Sequence, residues 1–163
     1  MKFLCMLFYV ITTDNHTSEI SALRTMYNEA VFKSDKAEAL ISYTEKNISN
    51  PLHMGYSGAA NMLLAKHAVN PFVKYRHFNK GKNLLQEAII KDSLNCELRY
   101  LRFCIQNSAP AFLGYNRHIY IDKVFLINAV NDIADKELKA AVLSALKNSS
   151  SLSLTEKDNL PNE

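Results

Sequence analysis

The chain has no tryptophan, and its 163 residues include only four glycines, four prolines and three cysteines. So little Gly and Pro leaves few turn formers for an all-β sandwich or barrel, and abundant Ala, Leu, Lys and Asn favour helix. Three cysteines do not make a disulfide scaffold. Cys96 and Cys104 fall on one predicted helix, about 12 Å apart along its axis. A disulfide needs Cα atoms within about 7 Å, so both read as small buried apolar residues. Charge of one sign is also missing. The formal net charge is +3, with Lys and Arg dispersed among acids and no clustered basic stripe, which argues against nucleic acid as a partner. Apolar residues make up 48% and charged residues 21%, enough for one folded domain with its own core.

Long hydrophobic runs are nearly absent. The exception, Phe3 to Ile11, follows Lys2 and precedes a polar stretch. It is too short to cross a bilayer as a helix and suits an export signal over residues 1–13. The alternative is a buried first strand or helix, because Thr12 and Thr13 do not complete an Ala-x-Ala cleavage pattern. Cys5 sits at the start of the run, where a lipidation cysteine should come after it. The expectation is a periplasmic or secreted protein with no membrane-spanning segment in its mature chain; without a working signal it stays in the cytoplasm.

What is present is helical periodicity. Ile20, Leu23, Tyr27, Ala30 and Val31 share one face of a helix predicted over Ser18 to Lys33. Ser34 and Asp35, with Glu38 three residues on, predict a capping box for a second helix carrying Ala39, Leu40, Tyr43 and Ile48. Between Pro51 and Gln106 the apolar pattern breaks only at Asn70-Pro71 and at Asp92 to Asn95. Asparagine caps well and proline suits a first helical turn, so this stretch reads as consecutive antiparallel helices. A sixth helix is predicted from Ile119 to Ile133. A seventh follows Asp135, with Leu138, Ala141, Val142, Ala145 and Leu146 on one face. The expected fold is all-α, with six or seven helices in antiparallel hairpins over residues 17–148 and a polar flexible tail over 149–163, within which a short terminal turn at Thr155 to Asp158 is the alternative. Gly58, Ala59, Ala60 and Gly81 are small residues inside helices, where glycine costs about 1 kcal/mol against alanine; close approach of a neighbouring helix is the usual return.

Reactive motifs are missing. No Gly-x-Ser-x-Gly elbow, phosphate-binding loop or HExxH spacing occurs. The sequence therefore assigns no catalytic residue, no metal ligand and no cofactor. His67 shares the apolar face of Leu63 and Leu64 and reads first as a core histidine bonded to a carbonyl or tyrosine. Arg76, Lys80, Arg99, Arg102 and Arg117 could line a basic groove between neighbouring helices, since guanidinium forks suit carboxylate or phosphate. The alternative is local ion pairing, for instance of Arg99 or Arg102 with Glu97 or Asp122. The connection from Pro110 to His118 is unusually aromatic. Phe112 and Tyr115 either tuck onto the core or form a contact loop, and Gly114 supplies a positive φ in that turn.

Two resemblances accompany these patterns. Gly81, Leu85, Ala88 and Ser93, and likewise Ala39, Tyr43, Lys46 and Pro51, occupy the spacing of Ala, aromatic, Ala and Pro in the second helix of a tetratricopeptide repeat. The chain resembles that family over about 55 residues, with a longer period than the usual ~34 and without the Trp and Leu-Gly signature. The words Asn70-Pro71-Phe72, Phe78-Asn79-Lys80-Gly81-Lys82, Glu97-Leu98-Arg99-Tyr100-Leu101-Arg102 and Phe112-Leu113-Gly114-Tyr115 are similar to those of small exported bacterial proteins of unknown function. That likeness implies a compact helical domain behind a signal peptide and carries no activity. Helical stacks present a concave face to partners. The leading expectation is a non-catalytic module of the cell envelope that binds a protein or peptide; the alternative is a small anionic ligand held in the basic groove.

Overall fold

A computed structural model describes residues 17–110 and 113–161. Every regular element among them is helical. α1 is helical over residues 17–30. Then come α2 (Ser34–Thr44), α3 (Pro51–His67), α4 (Pro71–Lys91), α5 (Cys96–Ser108), α6 (Ile119–Ala129), α7 (Lys136–Asn148) and α8 (Leu154–Asp158), with a 3-10 turn at Glu45–Asn47 after α2. The proposed export segment, residues 1–13, lies outside the described residues.

The helix starts follow their capping residues. The side chain of Asn50 accepts from the amides of Leu52 and His53, and that of Asn70 from Phe72 and Val73, with Pro51 and Pro71 in the first turns. Asn95 and Asp135 do the same for α5 and α7. Each cap satisfies amides that the helix leaves without partners, an effect of about 1 kcal/mol. The capping box expected at Asp35 and Glu38 does not form. α2 begins at Ser34 after Lys33, which makes no side-chain cap, and Ala37 rather than Ala39 faces the core. The box occurs instead at Ser153 and Glu156, at the head of α8. α6 is also shorter than expected, closing at Ala129.

α3 is the axis of the first half. Residues 52–63 are buried on every side, so this helix has no polar face. α2, α4 and α5 all pack on it, and Tyr27 of α1 meets Tyr56 edge to face at 5.9 Å. Glycines permit this crowding. A Cβ on Gly58 would stand 2.8 Å from the Gly81 carbonyl oxygen, and one on Gly81 only 2.5 Å from that of Gly58. The α3 and α4 backbones therefore touch. At Gly55 the missing side chain is replaced by Leu98 of α5.

The second half is built from larger side chains. Phe103, Leu126, Val130, Val142, Leu143 and Leu146 form its core. α5 belongs to both halves: Leu98 and Leu101 join the first core, and Phe103 joins the second. The segment expected as a flexible tail folds back. Leu152 and Leu160 are buried against the second core, and the Lys123 ammonium donates to Glu156 at 2.7 Å. Two leucines among Ser, Asn and Lys were enough to anchor it, because burying one leucine contributes about 2 kcal/mol.

Candidate functional site

α5 carries ionisable side chains toward both of its flanks, and each flank has its own network. On one side Glu97 accepts from Arg24 of α1 through both oxygens, at 2.8 and 2.9 Å. The Tyr56 hydroxyl donates to the same carboxylate at 2.5 Å. Arg24 also reaches Asp135 at 2.8 Å and Glu137 at 2.9 Å, so one guanidinium ties α1 to α5 and to the start of α7. Burial opposes the charge of Arg24, yet its bonds to Glu97 and Asp135 outweigh that and hold its pKa above the ordinary value. The bond from Arg24 also lowers that of Asp135. Burial first, then the Glu97 charge, pushes the Tyr56 phenol far up. A neutral, occluded phenol on a carboxylate already shared with arginine is a structural pin. Tyr56 is 2% exposed, so no substrate reaches it.

On the other side Asp122 of α6, fully buried, receives Arg102 bidentately at 2.7 Å on each oxygen. Arg102 gives its remaining terminal nitrogen to Gln86 of α4 at 2.7 Å. Arg99 adds a bond to Asp122 at 3.1 Å, donates twice to the Ser93 carbonyl oxygen and lies 5.1 Å over the Phe125 ring. Planar guanidinium groups suit this shared bidentate geometry. The two arginines, Asp122 and Gln86 make a nearly closed donor–acceptor set beneath the surface between α4 and α6.

Of the five cations read as a basic groove, the structure therefore brings Arg99 and Arg102 together, on Asp122. Lys80 faces Glu45 at 3.6 Å on the other flank of α4, and Arg76 and Arg117 are exposed. Near this network in sequence the apolar Ile90 (one turn beyond Gln86), Leu94 (after Ser93), Ile121 and Val124 are exposed, alongside the polar Glu87, Lys91, Ser93 and Arg117.

The chain matches no family model, no curated protein and no solved structure.

The remaining sequence candidates are structural in geometry. His67 lies 3.1 Å from the Ala30 carbonyl oxygen, which ties α3 to the end of α1. Tyr115 packs edge to face on Phe78 at 5.4 Å, and burial raises its pKa to about 12. Phe112 lies outside the described residues. Gly114 has φ +58°. Cys96 and Cys104 are free thiols, and burial pushes Cys104 up to about 11. Among the described residues no group of three His, Cys, Asp or Glu is placed to hold a metal ion. A small cavity of about 180 Å³ lies beside the 113–118 turn, lined in part by Gln106, Tyr115 and Asn116. The buried Gln106 amide makes no hydrogen bond there.

Sequence reasoning missed Arg24, Glu97 as its partner, and Tyr56 as a donor. A signal for Arg24 was present. It falls four after Ile20 and three before Tyr27, a charge on an apolar stripe, and such a charge demands a buried counter-ion. Asp122 inside the run Ile119 to Ile127 carries the same signal.

Proposed function

We propose that this chain is a non-catalytic binding module that recognises an apolar segment of a protein or peptide. The observation that carries the reading is the surface over the Asp122 network. Arg99 and Arg102 are both engaged internally by Asp122, which offsets one of their two charges, while Ile90 and Leu94 near the α4–α5 turn and Ile121 and Val124 on α6 are exposed. Exposed apolar side chains beside internally bonded arginines fit the non-polar side of an amphipathic segment better than a free anion, which would have to compete with Asp122 for both guanidinium groups. The ionisable groups of the two networks are bonded to one another, which disfavours acid–base or nucleophilic chemistry there. The close pairing of α3 and α4 at Gly58 and Gly81 supports reading the hairpins as degenerate stacked repeats. Its place of action on this proposal is the cell envelope, to which the N-terminal apolar run would direct it.

The test is photo-cross-linking in cells, with a photoreactive analogue replacing Leu94 or Ile121 and, as control, the exposed Ser21 of α1. A discrete adduct at the first two positions, lost when Ile90→Asp is added, is the expected result. Equal adducts at Ser21, or none at Leu94 and Ile121, would overturn the reading.

A further inference from the structure

We propose that the opposite end of the molecule, at the α1–α2 and α3–α4 turns, docks on an anionic membrane surface. The two turns are neighbours. His67 bonds the Ala30 carbonyl oxygen, and Lys66 donates to that of Val31 at 3.4 Å. Four large apolar side chains stand out from this end: Phe32, Val69, Phe72 and Tyr75 are 80%, 97%, 84% and 72% exposed. Their sequence neighbours Lys33, Lys66, Lys74 and Arg76 are exposed as well.

Charge makes the end one-sided. No Asp or Glu occurs from Lys46 to Gln86, and of the cations in that stretch Lys66, Lys74 and Arg76 stand at this end, while Lys80, further along α4, faces Glu45. The carboxylates near this end belong to the first two helices. Glu29 is bonded by Lys36 at 3.0 Å. Asp35 sits in the first turn of α2, where the helix dipole favours it. Glu38 faces His77, which burial first and then Arg76 and Lys80 hold below the ordinary imidazole value, with Glu38 acting the other way. Lys66 has a structural reason to be basic, at the C-terminal turn of α3. Lys74 and Arg76 do not. They follow the first turn of α4, which has no acid, and the dipole of that end disfavours Lys74, the nearer of the two.

A bilayer surface is the occupant these features fit. Phe32 and Val69 protrude from the two turns and Phe72 and Tyr75 share one face at the start of α4, an arrangement that can enter a headgroup layer without a shaped pocket. Aromatic side chains settle at the headgroup boundary. Each Lys or Arg near an anionic leaflet contributes about 1 kcal/mol. No described helix is long and apolar enough to cross a membrane, so the contact is a surface one. This surface shares no residue with the Ile90–Ile121 face, and the two proposals stand or fall separately.

The experiment is co-sedimentation of the full chain with phosphatidylglycerol/phosphatidylcholine vesicles and with pure phosphatidylcholine vesicles. Sedimentation that needs phosphatidylglycerol and falls with salt is expected. K74E/R76E should weaken it at least about tenfold. F32S/F72S should weaken it at unchanged charge, and I90D/I121D should leave it intact. All replaced groups are exposed, and helical circular dichroism confirms that each variant is folded. No preference for phosphatidylglycerol, or equal binding by K74E/R76E, would overturn the proposal. So would tighter binding to polyglutamate than to vesicles, which would assign the end to an acidic protein, or full displacement from vesicles by millimolar free phosphate.

Discussion

The two halves of this molecule hold together by different means. In α1–α4 the helices approach until backbone meets backbone, at Gly58 and Gly81, and the core contains small residues such as Ala59, Ala60 and Ala88. In α5–α8 the helices stay apart and Phe103, Leu126, Leu143 and Leu146 fill the space. Close packing of small residues gains dispersion contacts but tolerates no added atom, whereas an aliphatic core loses stability mainly when atoms are removed. α5 joins the two regimes, and its charged groups are pinned on each flank. The contrast teaches that the seam, not either core, is where a single change should cost the most.

Asp122→Ala tests the seam with the largest expected effect. It leaves Arg102 buried without a counter-ion, and a loss of about 3–5 kcal/mol in denaturant unfolding is expected. The double variant R102M/D122L should recover much of that loss, since a well-packed apolar pair often replaces a buried ion pair without penalty. If the double variant is as unstable as the single one, the network does more than neutralise itself.

Gly81→Ala sharpens the backbone-contact side of the contrast. Alanine would gain about 1 kcal/mol of helix propensity, but its Cβ meets the Gly58 carbonyl oxygen, which cannot swing aside. A net loss of about 2–3 kcal/mol is expected; a neutral or stabilised variant in thermal unfolding would mean α3 and α4 can separate freely. In the other half, Leu160→Ala should cost about 2 kcal/mol and raise hydrogen exchange in α8 and α6, with α3 and α4 unchanged. Exchange rising equally throughout would remove the distinction between halves.

The smallest effect is a pH dependence. Burial, then the nearby guanidinium groups, lowers His77 and His118 below the ordinary imidazole value. The unfolded chain therefore binds more protons than the folded one, so stability is full above the unfolded value and declines as pH falls through it. Thermal midpoints should drop slightly from pH 7.5 to 5.5, with the drop reduced in His77→Gln. A second decline belongs to Glu156, which the Lys123 bond holds at about 2. Its contribution is present at neutral pH and is lost as the solution is acidified from the ordinary carboxylate range toward pH 2, releasing the tail first.

Much of the fold was legible in the sequence because its helix boundaries are chemical. Asn70-Pro71 and Asp135 were expected as caps and cap α4 and α7, and Asn50 and Asn95, at boundaries the sequence marked as a helix break and a turn, cap α3 and α5. The glycines announced the contact of α3 with a neighbour but not which neighbour, since small size carries no partner identity. The box at Asp35 failed because the same residues also suit the interior of a first turn. The tail was misjudged because composition averaged over Leu152 and Leu160. The sequence left the arginines between a groove and local ion pairs with Glu97 or Asp122, because spacing places side chains on a face of one helix without settling what the next helix puts opposite; the structure puts Asp122 there.

The central claim is that Arg99 and Arg102 serve Asp122 and are not free to hold an anion. Nitrogen-15 NMR of the arginine Nε–H groups, during titration with inorganic phosphate, tests it most directly. The account predicts a slowly exchanging Arg102 Nε–H that keeps its shift at millimolar phosphate, with Arg76 and Arg117 moving only weakly and without saturation. A saturable shift of Arg99 and Arg102 together would contradict it and assign the site to an anionic ligand.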